Sequence, residues 1–187
     1  MGPYEEYFVP NLPVHINFAY QTVKRMGHPA VDPYIGYYLL GSTSPDIKAI
    51  THASREQYHF APLSFKYIGT GTKTLFENHP ELQSTVECNG PTRAFVAGYI
   101  THLVLDESWI TEMFRPYFGN PSVFPNNVFG KVMDRALQLE LDRQSYESMK
   151  STLTLLPQVT DDIKIEFISN FTPVSYTHLT LPTICSV

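Results

Sequence analysis

Residues 98–109 read GYITHLVLDESW, apolar enough for a buried helix, yet the run carries His102 and Asp106 four positions apart. On a helix that spacing puts two side chains on one face, with Cβ atoms about 6 Å apart. A carboxylate buried without a partner is costly. Something must satisfy the pair: a hydrogen bond within it, a cationic side chain from elsewhere, or a metal ion. Three further residues raise the same question. His15 stands among apolar neighbours in LPVHINFAY, Asp46 closes the loop GSTSPD, and His59 directly precedes Phe60 in REQYHF. Three imidazoles and two carboxylates form a nitrogen–oxygen donor set suited to zinc. Singly, each has a plainer reading. His102 with Asp106 is satisfied by a core hydrogen bond, His15 by packing or helix capping, Asp46 as a loop or cap residue, and His59 at the surface. Spacing alone does not oblige the segments to meet.

The elements that must position these residues read as helices. Pro10 and Pro13 introduce a helix that stops at Gly27. A short apolar helix covers about 33–41, and Ser, Pro and Asp then break the chain. Residues 51–60 read as a loop or a short helix. Pro62 opens a helix over about 63–78, weakened by GTGT. Pro91 opens the longest apolar helix, about 92–114, which Pro116 closes. A last amphipathic helix, about 126–150, repeats Val128, Val132, Leu139 and Tyr146 near helical spacing. No strand pattern or internal repeat is visible. The expected architecture is all-α, a single-domain helical bundle around one core.

Composition narrows the function classes. The chain has 187 residues, enough for one domain with a substantial core. Hydrophobic residues make up 43% and charged residues 17%, ordinary for a globular protein. The net charge of -5 comes without a basic cluster, so the footprint of a nucleic-acid binder is absent. Tyr and Phe, 12 of each, predict an aromatic core. No apolar run reaches membrane-spanning length, and the acidic, proline-broken start lacks the apolar stretch of a signal peptide, so the expected location is the cytoplasm. Cys88 and Cys185 are too few for a disulfide framework or a cysteine zinc site. GTGTKT lacks the spacing of a phosphate-binding loop.

The pieces LPVHINFAY, YYLLGSTSPDI, REQYHF and FVAGYITHLVLDESW occur in that order over about residues 12–109. This order resembles the bacterial zinc-dependent phospholipase C family. In its pattern a helix-borne His is followed by Gly-x-x-x-Pro-Asp, here Gly41 to Asp46. Next come an Arg with a His-Phe pair, here Arg55, His59 and Phe60, and a Gly-Tyr-x-x-His-x-x-x-Asp helix, here Gly98, Tyr99, His102 and Asp106. The resemblance implies the phospholipase C / P1 nuclease type of bundle and a two-metal site. Asp46, His59, His102 and Asp106 would hold one zinc ion, and His15 and Asp106 a second, with Asp106 bridging. It further implies hydrolysis of a phosphoric ester, such as a small phosphodiester or a phospholipid, by metal-activated water attacking phosphorus, with Asp46 as a possible general base. Arg55 would hold a phosphate oxygen or Asp46, or lie on the surface. The alternative is a non-catalytic member of the same fold that binds a metal or a phosphorylated ligand. An HD-type phosphohydrolase would need an adjacent His-Asp doublet, and none occurs.

The chain departs from the pattern in two ways. Secreted members use a processed amino terminus as a metal ligand, whereas MGPYEEYFVPN precedes the first helix here. Their third metal needs further His and Glu ligands, for which Glu107, Glu112, Asp134 and Asp142 are the local candidates; for the two Asp a solvated helix face is the plainer reading. His52 ranks below the five main ligands, and His28 and His79 read as loop residues. The tail PVSYTHLTLPTICSV, residues 173–187, has no charged residue and resembles the translation of a transposon-end sequencing adapter. The native domain is therefore expected over residues 1–172, truncated at its C-terminus, with His178 and Cys185 carrying no function.

Overall fold

A computed structural model describes residues 9–47, 54–84, 88–156, 163 and 165. The expected boundary after Thr172, together with His52, His178 and Cys185, lies outside the described residues. Among the described residues the chain is helical and has no strand, as expected for an all-α fold. No helix among the described residues is long and apolar enough to cross a membrane.

Helix α1 (Leu12–Met26) starts on Pro13 and ends where Gly27 takes a left-handed conformation, its N–H returning to the Val23 carbonyl. Leu12, His15, Ile16, Ala19 and Val23 are buried, at the spacing of a core-facing stripe. His15 thus enters the interior as a member of the apolar face. After a 3₁₀ turn at Asp32–Tyr34, helix α2 (Ile35–Gly41) buries every residue from Tyr37 to Gly41. A helix leaves its last carbonyls unbonded. Here the hydroxyls of Ser42, Thr43 and Ser44 donate to the carbonyls of Leu39 and Leu40 at 2.7–2.9 Å. That explains how a polar Ser-Thr-Ser run is buried, and it fixes the 3₁₀ turn Ser44–Ile47 that carries Asp46.

Short helix α3 (Arg55–His59) is stopped by Phe60, a non-glycine residue at φ 55°. Such a conformation costs about 1 kcal/mol or more, and the buried Phe60 ring packs near Tyr99. The helix expected from about residue 63 starts later, as α4 (Thr70–Asn78). Gly69 turns left-handed at φ 93°, and the Glu107 carboxylate accepts from the N–H groups of Gly69, Thr70 and Gly71. The exposed N–H groups of a helix start take an anionic cap.

Helix α5 (Gly90–Ser108) is the spine of the molecule. Asn89 caps it by accepting from the Thr92 N–H at 2.8 Å. Pro116 does not close it. The chain runs on from Trp109 to Phe118 in wider π-helical turns with Pro116 inside, an irregular stretch that absorbs the missing proline N–H. Helix α6 (Asn127–Leu153) then packs along α1.

The last helix turns away from the core most of the residues whose spacing marked its face; of the four, only Tyr146 packs, partly buried, beside Leu12, Ile16 and Met149. Val128, Val132 and Leu139 are exposed, whereas Asp134, Gln138, Ser145 and Met149 are buried. Polar contacts explain this orientation. Trp109 Nε1 and Gln138 Nε2 donate to the Asp134 carboxylate at 2.9 Å each, and Asn17 bonds Ser145 and Ser148. Asn11 donates to Asp142 and accepts from Arg135. Neither Asp134 nor Asp142 is a freely solvated surface carboxylate.

The closest helix contact is between α2 and α5. A Cβ on Gly98 would lie 1.8 Å from the Tyr38 carbonyl oxygen, and one on Gly41 would lie 2.0 Å from that of Phe95. The two backbones touch because both residues are glycine. No rotamer change relieves a clash with backbone, so Gly98→Ala is expected to cost about 3 kcal/mol or more. Urea denaturation reads this directly; a loss below about 1 kcal/mol would contradict the contact.

Candidate metal centre

The α2–α5 contact sets the alignment on which the centre is built. With Gly41 against α5, the carbonyl of Ser42 lies 2.9 Å from His102 Nδ1. A carbonyl only accepts, so Nδ1 carries the proton and neutral His102 presents a bare Nε2 lone pair. That nitrogen lies 3.3 Å from His59 Nε2, 3.7 Å from Asp106 Oδ2 and 3.8 Å from Asp46 Oδ1. His59 Nε2 in turn lies 3.3 Å from Asp106 Oδ2 and 3.6 Å from Asp46 Oδ1. On the other side of the same carboxylate, Asp106 Oδ1 is 3.2 Å from His15 Nε2, which also lies 3.1 Å from the Pro10 carbonyl. The His15 ring stacks on His102 with centroids 3.8 Å apart.

All five residues expected from the sequence therefore converge. The imidazoles and Asp106 are buried, while the Asp46 side chain remains 22% exposed. Four donors around a tetrahedral zinc lie about 3.3–3.4 Å apart, given zinc–ligand distances of about 2.0–2.1 Å. The observed separations of 3.3–3.8 Å approach that spacing without an ion. Two groups could hold a metal ion: His15, Asp46 and His102, and His59, His102 and Asp106. The buried Nδ1 atoms of His15 and His59 have no hydrogen-bond partner among the described residues, so the cluster is incompletely satisfied there.

One partner differs from expectation. Arg55 meets neither Asp46 nor open solvent; its Nη2 donates to Asp106 Oδ2 at 2.7 Å, with the side chain 14% exposed. Main-chain carbonyls of Ser42 and Pro10 complete the surroundings. No sequence signal marks these, because every residue has a carbonyl. The candidates for a further metal do not join. Glu107 caps α4, Asp134 is held by Trp109 and Gln138, Asp142 bonds Asn11, and Glu112 is exposed. His28 accepts from the Ala30 N–H, and His79 faces Glu81. Cys88 is buried, its thiol directed at the Glu81 carbonyl.

Comparison with family models, curated proteins and solved structures gives no match. The functional reading therefore rests on this geometry.

Burial, and then the charge of His15, push the His102 pKa from 6.5 to about 3. Burial also lowers that of His59, outweighing its hydrogen bond to Asp106. Burial opposes a charge on His15 too, but the Asp106 carboxylate bonded to it prevails and raises its pKa. Burial would raise Asp106, yet His102, His15, His59 and Arg55 hold it well below the usual carboxylate range. The signs then follow. Between pH 6.5 and about 3 the unfolded chain takes up a proton that folded His102 refuses, so stability falls as pH falls. His59 acts in the same direction. Asp106 contributes stability above its unfolded value, lost as pH falls through its lower folded one. His15 works oppositely, its contribution complete below 6.5 and lost as pH rises through its higher folded value. In chelator-treated protein the urea midpoint should decline steadily below pH 6.5. His102→Gln should remove up to about 1.4 kcal/mol per pH unit from that slope. An acid limb identical in the two proteins would contradict a neutral, buried His102.

Proposed function

We propose that this protein is a metal-dependent hydrolase of phosphoric esters, with a bundle of the zinc-dependent phospholipase C / P1 nuclease type. The observation that carries this reading is the 3.3–3.8 Å spacing of His59 and His102 from each other and from Asp46 and Asp106, beside His15 at 3.2 Å from the second Asp106 oxygen. Asp46, His59, His102 and Asp106 would hold one zinc ion. His15 and Asp106 would contribute to a second. Zinc bound there would supply Lewis-acid chemistry: it lowers the pKa of a water and stabilises negative charge on phosphoryl oxygens. The chain's own residues set the frame for that chemistry. Ser42 fixes the His102 tautomer, as outer-shell carbonyls do for ligating imidazoles. The two oxygens of Asp106 face different imidazoles, the arrangement a bridging carboxylate needs. Asp46 is the member of the set most open to solvent, and its carboxyl is held low by the three histidines against burial. It is thus ionised near neutrality and placed to accept a proton from an incoming water. The substrate class is a phosphoric ester, a small phosphodiester or a phospholipid.

A second reading is a non-catalytic metal- or phospho-ligand-binding member of the same fold. It is favoured by the engagement of Glu107 and Asp134 elsewhere, which leaves a third ion without those ligands.

Elemental mass spectrometry on the purified protein is expected to find about two zinc ions per chain, reduced in His102→Ala and Asp106→Ala. Hydrolysis of a chromogenic phosphodiester should fall with the metal, by ~100-fold or more in His102→Ala, exceeding the usual cost of losing an outer-shell partner. Zinc without hydrolysis would select the second reading. Folded protein that takes up no zinc would overturn both.

A further inference from the structure

Asp106 Oδ2 faces His59 and His102 at 3.3 and 3.7 Å, and it also accepts from Arg55 Nη2 at 2.7 Å. The oxygen offered to a metal is therefore already engaged by a guanidinium. Arg55 begins the five-residue helix that ends on His59. One short element thus delivers both a candidate ligand and a cation to the same carboxylate. The pair is largely removed from water, with side chains 14% and 1% exposed. A charge-assisted bond of this length in such a setting is among the stronger polar contacts a protein makes, and removing one partner leaves a buried charge uncompensated.

We infer that Arg55 is the internal counter-cation of Asp106, standing in for metal charge whenever the centre holds no ion and limiting how tightly metal is held. The inference rests on the metal-centre reading above and adds a regulator of occupancy to it. A divalent ion placed among His59, His102 and Asp106 shares a carboxylate oxygen with a fixed positive charge, and like charges at close range repel strongly away from water. The same contact keeps the carboxylate oriented while no ion is present. Arg55 is therefore a positioning residue with two opposed effects: it stabilises the metal-free protein and weakens metal binding. An ordinary structural arginine would have only the first. Its loss would loosen the ligands and leave zinc affinity equal or poorer.

The test compares the full chain with Arg55→Met and Arg55→Lys, each stripped of metal and then titrated with zinc against a competing chelator, with thermal melting followed in both states. Arg55→Met is expected to melt lower without metal, to gain more from saturating zinc than the parent, and to bind zinc at least tenfold more tightly. Arg55→Lys, which restores the charge through a single donor, should return affinity toward the parental value. Folding of Arg55→Met only when zinc is present is the limiting form of the same result. Should Arg55→Met fold under neither condition, Arg55→Gln replaces it, with the same expected sign. Zinc affinity unchanged or weaker in the neutral variant, while the parent binds zinc, would overturn the role of Arg55 and leave the metal centre standing. A folded parent that binds no zinc would remove both.

Discussion

The buried carboxylate of Asp106 is the constraint on which this structure turns. Its side chain is 1% exposed, near the C-terminal end of the central helix α5, where an ion survives only if its surroundings answer it. Four side chains do so from three elements: His15 from α1, Arg55 and His59 from α3, and His102 from one turn earlier on α5. The packing of α1 and α3 against α5 therefore has a polar registration as well as an apolar one. A shift of either helix would leave Asp106 less well satisfied, at a cost greater than most misplaced methyl groups.

That registration begins with two glycines. Gly41 and Gly98 bring α2 and α5 into backbone contact, and the Ser42 carbonyl consequently reaches His102 Nδ1. The proton is committed to that side of the ring, and the lone pair of Nε2 points toward His59, Asp46 and Asp106. Small residues at the closest approach and tautomer at the centre are thus one design. It accounts physically for the occurrence of glycine in both GSTSPD and GYITHLVLD, where spacing arguments treat it only as part of a pattern.

The candidate donors were legible in the sequence because polar residues within apolar segments carry a cost that must be met, whereas their meeting was implied only by the family resemblance. His15, His102 and Asp106 stood out on that ground, and Asp46 and His59 by their place beside hydrophobic runs. The partner of Arg55 was not legible. A guanidinium reaches far enough that several carboxylates were open to it, and geometry alone distinguishes Asp106 from Asp46. The orientation of α6 was misread for a related reason. Periodicity groups Val128, Val132, Leu139 and Tyr146, of which only Tyr146 packs inward, because Asp134 bonds the indole of Trp109 and Asn17 bonds Ser145 and Ser148. Satisfied polar contacts can take the place that apolar periodicity assigns to methyl groups. The start of α4 was missed because its cap, Glu107, is distant in sequence, and local signals describe only local capping. The extension past Pro116 was missed because proline stops regular helices, whereas here the turns widen around it.

Exposure within the cluster bears on chemistry more than its composition does. A purely structural ion site is closed on all sides by protein, whereas a reactive one leaves a face for water or substrate. Here the imidazoles and Asp106 are buried, but Asp46 sits on a short 3₁₀ turn and remains partly exposed. Its position follows from the Ser-Thr-Ser hydroxyls that finish α2 and lead into that turn. The rigid donors lie on the inner wall and the accessible one at the rim. Among these residues Asp46 is the most accessible, its carboxylate 3.6 Å from His59 Nε2 and 3.8 Å from His102 Nε2. If the cluster holds a metal as proposed, that asymmetry is what would set a reactive centre apart from a closed structural one.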